Sequence, residues 1–164
     1  MAHISGEIVI NRPVEEVFDT VADERNEPRY NPGMLRAEKL SPEPVGLGSR
    51  FRAEMRTRPR PVVMTTENTG YDRPRRLAST TRLSTMNIQG TLTFDPVPEG
   101  TRMRWSWNLQ PRGLLKLATP MVARIGARQE EAIWTGLKRL LEGQELLSPL
   151  TDDRLQPGAP RRSA

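Results

Sequence analysis

Acid–base and nucleophilic chemistry require a titratable or nucleophilic side chain that the fold can aim at a substrate, and this sequence offers few. Its 164 residues include no Cys and a single His. Disulfides, thiolate catalysis and Cys-based metal sites are therefore absent together. His3 is out of phase with Ile4, Ile8 and Ile10, so it points away from their side of the strand, and any Ser/His/Asp set loses its base. Glu54 alternates against Phe51, Ala53 and Met55, and Glu67 against Met64, Thr66 and Asn68, while Asp72 lies in a turn. No His/Asp/Glu spacing fits a metal site, and no Gly-rich loop could cradle a phosphate. The expectation is a site with no ionisable pair, no catalytic residue, no metal and no cofactor.

Positive charge is the other chemical resource. The net charge is +5, and all of the 25 basic residues except Lys39, Lys116 and Lys138 are Arg. Arg50, Arg52, Arg56 and Arg58 follow one strand face, and Arg102 and Arg104 another. Were those faces adjacent, they would form a patch for acidic lipid headgroups, RNA or an acidic protein. The alternative is a solvated outer face that discourages edge pairing. No aromatics interleave with these arginines, as stacking on single-stranded nucleic acid requires. The basic residues are also spread along the chain rather than gathered in a stripe. Nucleic acid is not an expected partner; peripheral contact with acidic lipid stays open.

The elements that must position any site follow from periodicity. Residues 3–10 alternate as a strand with one wet face. Pro13, placed in the first turn, then Val14, Val17, Phe18 and Val21 make a short amphipathic helix. Arg25 to Tyr30 adds a helical turn before Asn31-Pro32-Gly33. Strands are expected at Met34–Leu40, Ser49–Arg56, Val62–Tyr71, Leu77–Leu83, Ile88–Phe94 and Thr101–Leu109, joined by turns into an antiparallel meander. Thr119-Pro120 reads as an N-cap followed by Pro at the first helical position. The long helix then runs to about Gly143 with a broad apolar face that includes Met121, Val122, Ile125, Ile133, Trp134, Leu137, Leu140 and Leu141. Gly126 and Gly136 each cost about 1 kcal/mol relative to Ala, which implies close approach by a strand or ligand. The expected domain covers 1–144, with a disordered tail over 145–164. No apolar run is long enough to span a membrane, the N-terminus lacks signal-peptide features, and the absence of Cys fits a reducing cytoplasm.

Four stretches in this order carry a resemblance. They are Ile8-x-Ile10-Asn11-Arg12-Pro13-Val14-Glu15-Glu16-Val17-Phe18; Tyr71-Asp72-Arg73-Pro74-Arg75-Arg76-Leu77; Gly90-Thr91-Leu92-Thr93-Phe94 through Glu99-Gly100-Thr101-Arg102; and Leu137-Lys138-Arg139-Leu140-Leu141-Glu142. Over about residues 3–143 the sequence resembles the polyketide cyclase/dehydrase group of the START/Bet v 1-like (SRPBCC) superfamily. The resemblance implies an α+β helix-grip fold: a curved antiparallel sheet of about seven strands wrapped around the long C-terminal helix, with short helices after the first strand and a cavity between sheet and helix. It also implies strand faces. Phe51, Met55, Met64, Thr66, Asn68, Ser79, Thr81, Leu92, Met103, Trp105 and Trp107 point inward, opposite Met121, Ile125 and Gln129 of the helix. Together these fourteen residues make the expected lining for a hydrophobic small molecule. An apolar stripe by itself reads as plain core; the resemblance turns it into a pocket wall. Met adapts to irregular ligand shapes, and the polar members either pair with one another or meet a ligand carbonyl or hydroxyl.

Three readings follow. The first is binding or transport of a lipid, polyketide or isoprenoid-like molecule. The second is an aromatase/cyclase-like enzyme whose walls steer a polyketide, with Thr66, Asn68, Ser79 and Tyr71 orienting carbonyls. The third is a protein-interaction module using the Arg-rich outer sheet face.

Overall fold

The computed structural model describes residues 1–147, with side chains described as far as Gly143. The alternating segments form one antiparallel sheet in the order β1-β7-β6-β5-β4-β3-β2. Its strands are β1 (Ala2–Ile10), β2 (Met34–Lys39), β3 (Arg50–Met55), β4 (Val62–Asp72), β5 (Arg76–Arg82), β6 (Met86–Val97) and β7 (Gly100–Pro111). The meander β2 to β7 pairs each strand with the next, and β1 closes onto β7 with Ile4 opposite Trp107 and Gly6 opposite Trp105. Irregularities between Met34 and Arg36 and between Asn68 and Gly70 add the local twist and bend that bulges supply, which curves the sheet toward the helix.

Between β1 and β2 lie α1 (Val14–Ala22) and a 3-10 helix over Glu24–Arg29. Pro13 stands just ahead of α1 in an extended conformation, with ψ 146°, rather than inside its first turn. α1 turns Val14, Val17, Phe18, Val21 and Ala22 into the core. Phe18 meets Phe94 edge-on at 5.1 Å and Tyr71 at 5.2 Å. These rings fill one end of the space under the sheet.

Helix α2 (Thr119–Leu147) follows directly from a second 3-10 helix, Gly113–Ala118. Thr119 is not the expected N-cap. It is already helical, with φ −50° and ψ −45°, and its hydroxyl donates backward to the Lys116 carbonyl. The helix also continues past 144 to Leu147; the rest of the expected tail lies outside the described residues. Trp134, Leu137 and Leu141 are buried against the sheet.

Both helix glycines sit where the chain packs closely. Gly126 faces methyl groups of Ile4 and Leu109, each 3.4 Å from where a Cβ would stand. Gly136 lies against backbone: its Cβ would stand 2.2 Å from the Tyr30 carbonyl oxygen, so only Gly allows α2 to come this near. Gly136→Ala is expected to destabilise the fold by about 1–3 kcal/mol. Gly143, where an added Cβ meets open space, should gain up to about 1 kcal/mol from the same change. Paired urea melts check the contrast, and equal effects at the two sites would contradict the packing described.

Candidate functional site

The curved sheet and α2 do not close completely on each other. Between them lies a cavity of about 380 Å³. Its sheet wall is mostly apolar, with Met55, Val62, Met64, Leu77, Ile88, Leu92 and Trp107, and α2 supplies Ile133 and Trp134. The 3-10 helix after α1 forms a third wall, bringing Glu24, Glu27, Tyr30 and Asn31 to the cavity. The expectation of a site with no ionisable pair is therefore overturned: Glu24, Glu27 and Glu130 all line this cavity.

Each carboxyl has its own support. Glu24 is 7% exposed and accepts the Thr66 hydroxyl at 3.2 Å, and Thr66 also shares a 3.0 Å hydrogen bond with Thr81. A polar row thus runs from the 3-10 helix across β4 to β5. Glu27 accepts from Asn31 Nδ2 at 2.7 Å. Glu130 Oε2 accepts two indole N–H groups, from Trp107 at 2.9 Å and from Trp134 at 2.8 Å. Glu27 and Glu130 are half-buried, and both contribute to the cavity wall.

Burial dominates the protonation of all three. Loss of water raises Glu24 from its ordinary 4.5 to about 8, helped by the nearby charge of Glu27 and opposed by the Thr66 hydrogen bond. Burial likewise lifts Glu27 to about 7, with Glu130 adding repulsion and Asn31 working against it. Glu130 is raised by burial, with the two indole bonds pulling it back. Tyr30 is pushed well above 10.0, first by burial and then by the carboxylates around it. Near neutral pH, Glu24 is thus mostly a neutral acid that can donate as well as accept.

Of the fourteen expected lining residues, the structure brings Met55, Met64, Thr66, Asn68, Ser79, Thr81, Leu92, Trp107 and Gln129 to the cavity wall. Phe51, Met103 and Trp105 are buried but off it. Met103 pairs in register with Phe94, whose ring meets Phe18, so it belongs to the filled end. Trp105 lies over Gly6, whose missing side chain makes room for the indole, and packs on Trp134 at 6.2 Å. Met121 and Ile125 are a correction: they are 59% and 48% exposed. The first half of α2 turns Val122, a member of the expected apolar face, toward the sheet together with Ala123, Gly126 and Ala127. Small residues let the helix approach closely, and the large ones are left outside. Tyr71 is also off the cavity, against Phe18.

The two arginine rows do not merge. Strands β4, β5 and β6 separate β3 from β7, a gap of about 19 Å at normal strand spacing. Arg52 contacts Glu38 and Glu54, and Arg104 contacts Glu7 and Asp95. The rows therefore do not make one basic patch, and Arg52 and Arg104 are engaged in surface ion pairs. His3 lies outside as expected, bonded to Ser106.

Sequence reasoning passed over Glu24, Glu27 and Glu130 because an acid between helical turns ordinarily faces water. One signal was available. Val17, Val21 and Glu24 are spaced four and then three residues apart, which continues the buried stripe of α1 into Glu24.

The sequence matches the model of a protein family described as polyketide cyclase/dehydrase and lipid transport over residues 1–142. The chain belongs to this family. Its fold is shared with the protein TTHA0849 from Thermus thermophilus, at 20% identity and TM-score 0.71, covering 87% of this chain and 99% of that one. A START superfamily protein from Mycobacterium smegmatis is similar at 15% identity and TM-score 0.75, covering 87% and 98%. Ara h 8.0201 is similar at 15% identity and TM-score 0.67, covering 90% and 99%. At these identities the likeness is one of fold, and it establishes the START/Bet v 1 helix-grip architecture. No curated protein matches the sequence. Family and fold fit a protein that binds a hydrophobic ligand. Among the described residues, no helix is long and apolar enough to cross a membrane, and no cluster of His, Asp and Glu could hold a metal ion.

The raised acids make stability depend on pH. Between 4.5 and about 8 the folded protein holds a proton on Glu24 that the unfolded chain has released. The stabilisation is complete below the lower value and is lost as pH rises through the upper one. The melting temperature should therefore fall between about pH 5 and about pH 9, and Glu24→Gln should flatten that slope. A variant with the wild-type slope would contradict the assignment.

Proposed function

We propose that this chain binds a lipid, polyketide or isoprenoid-like molecule in the cavity, with the apolar body along Leu92, Trp107 and Ile133 and a polar end toward Glu24. One observation carries the reading: a mostly apolar space of about 380 Å³ edged by the hydrogen-bonded row Glu24–Thr66–Thr81. That size and composition suit small-molecule sites, which are largely apolar with a few polar groups fixing orientation. Neutral Glu24 can donate to a carbonyl or hydroxyl, and Ser79, which has no side-chain hydrogen bond among the described residues, offers a second contact.

A second reading has its own support. A carboxyl with a pKa near neutrality inside a substrate-sized cavity suits general acid–base work. An aromatase/cyclase-like reaction would use the walls to fold a polyketide and Glu24 to move a proton. Thr66, Asn68 and Ser79 would orient carbonyls; Tyr71, off the cavity, takes no part. Under this reading Glu24→Gln abolishes turnover of a polyketide and spares binding, whereas unchanged turnover removes it.

Binding itself is tested by titrating a neutral fluorescent apolar dye, Nile red. Ser79→Phe places a ring in the cavity and should weaken the dye by about tenfold or more, a loss of roughly 1.4 kcal/mol. The melting temperature should be held or raised. Dye affinity untouched by Ser79→Phe, or no dye binding at all, would overturn the proposal.

A further inference from the structure

Exposed residues of the cavity lining, Arg56, Thr57 and Thr85, come from the end of the sheet that carries the turns 56–61 and 83–85 and the corner at 112–118, which marks that end as the mouth. Arg56, Thr57, Leu83 and Thr85 reach the cavity from the two turns. Arg112 fastens the corner beside them, donating its backbone N–H to the Thr85 carbonyl and its guanidinium to Asn87. Next to this mouth stands an apolar stripe with no cover among the described residues. Leu114 and Leu117 are 86% and 85% exposed, and Met121 and Ile125 follow at 59% and 48%. Leu114 and Leu117 stand one turn apart on the 3-10 helix, and Met121 and Ile125 one turn apart on the start of α2 that follows it directly. The four-residue spacing of the latter pair continues into Gln129 and Ile133 of the cavity wall.

The charge around the stripe has one sign. From Gly100 to Gln129 the sequence contains no Asp or Glu, while Arg112, Lys116, Arg124 and Arg128 surround the four apolar residues. The turn across the mouth adds Arg56, Arg58 and Arg60, again with no acid. None of these cations is in an ion pair among the described residues, unlike Arg52 and Arg104 on the outer sheet face. Exposed apolar clusters rimmed by polar residues mark interaction sites. A second copy of this chain would bring the same cations face to face. A surface with phosphates above an apolar interior complements both features at once.

We infer that this open end docks on an anionic lipid bilayer, with Leu114, Leu117, Met121 and Ile125 entering the acyl boundary while the surrounding Arg and Lys meet phosphates. Docking in this way sets the cavity mouth against the membrane. The surface is complete without any ligand in the cavity, so it goes beyond the proposed function and can hold or fail separately.

The test is flotation of the full chain with vesicles of phosphatidylcholine alone or of phosphatidylcholine containing phosphatidylglycerol. The wild type should float with the anionic vesicles, not the neutral ones, and should be released by high salt. Lys116→Glu should weaken binding by roughly fivefold or more, as expected for a cation near the surface. The double change Leu114→Ser, Leu117→Ser should abolish flotation while leaving the melting temperature and Nile red affinity unchanged. Equal flotation with both vesicle types, or full flotation of the double variant, would overturn the inference. So would a wild-type dimer in solution that the double change converts to monomer.

Discussion

Two indole N–H groups share one carboxylate oxygen at the centre of this protein. Trp107 reaches Glu130 from β7, and Trp134 reaches it from one turn further along α2. Burying a carboxylate is costly unless donors replace its water, and hydrogen bonds to a charged group are the strong ones. Here the donors come from the sheet and from the helix, so satisfying the charge also fixes how the helix crosses the sheet. Trp105 and Tyr30 pack on Trp134 at 6.2 Å each, and Gly136 brings the helix onto the Tyr30 carbonyl. Roof, strand and 3-10 helix meet at this junction.

The cavity follows from that arrangement. Phe18, Phe94 and Met103 fill one end of the trough, while the helix is held over the other without sinking onto it. The remaining space is edged by Glu24 and Glu27, and repulsion among carboxyls confined together favours the protonated forms. An apolar core of the same volume would have no need of three acids. Glu24, with the hydroxyl row of Thr66 and Thr81, gives an otherwise mostly apolar space a polar edge. The family's association with hydrophobic molecules thus has a local physical counterpart in this chain.

Much of the fold was legible because burial on one face writes alternation into a strand. Phe51, Ala53 and Met55 against Arg50, Arg52 and Glu54, and the Met103-Trp105-Trp107-Leu109 series, mark both the strand and its inward face. Gly136 was legible too, as a helix-weakening residue that needed a close neighbour. The site was less so. Glu24 and Glu27 become buried only because the 3-10 helix turns beneath the sheet, a tertiary event with no local pattern of its own. Met121 and Ile125 misled for the opposite reason. A stripe drawn through the largest residues ignores Ala123, Gly126 and Ala127, whose small size is what lets β1 and the end of β7 approach. The merged arginine patch failed on strand order, which pairwise alternation cannot supply.

The most direct test is a crystal structure of the protein purified without denaturation and soaked with a long-chain alcohol. The account predicts density for one elongated molecule between Trp107 and Ile133, with its hydroxyl within hydrogen-bonding distance of Glu24 or Ser79. A helix α2 settled onto β4 and β5 with no space left, or a cavity holding ordered water alone beside the alcohol-soaked surface, would contradict it.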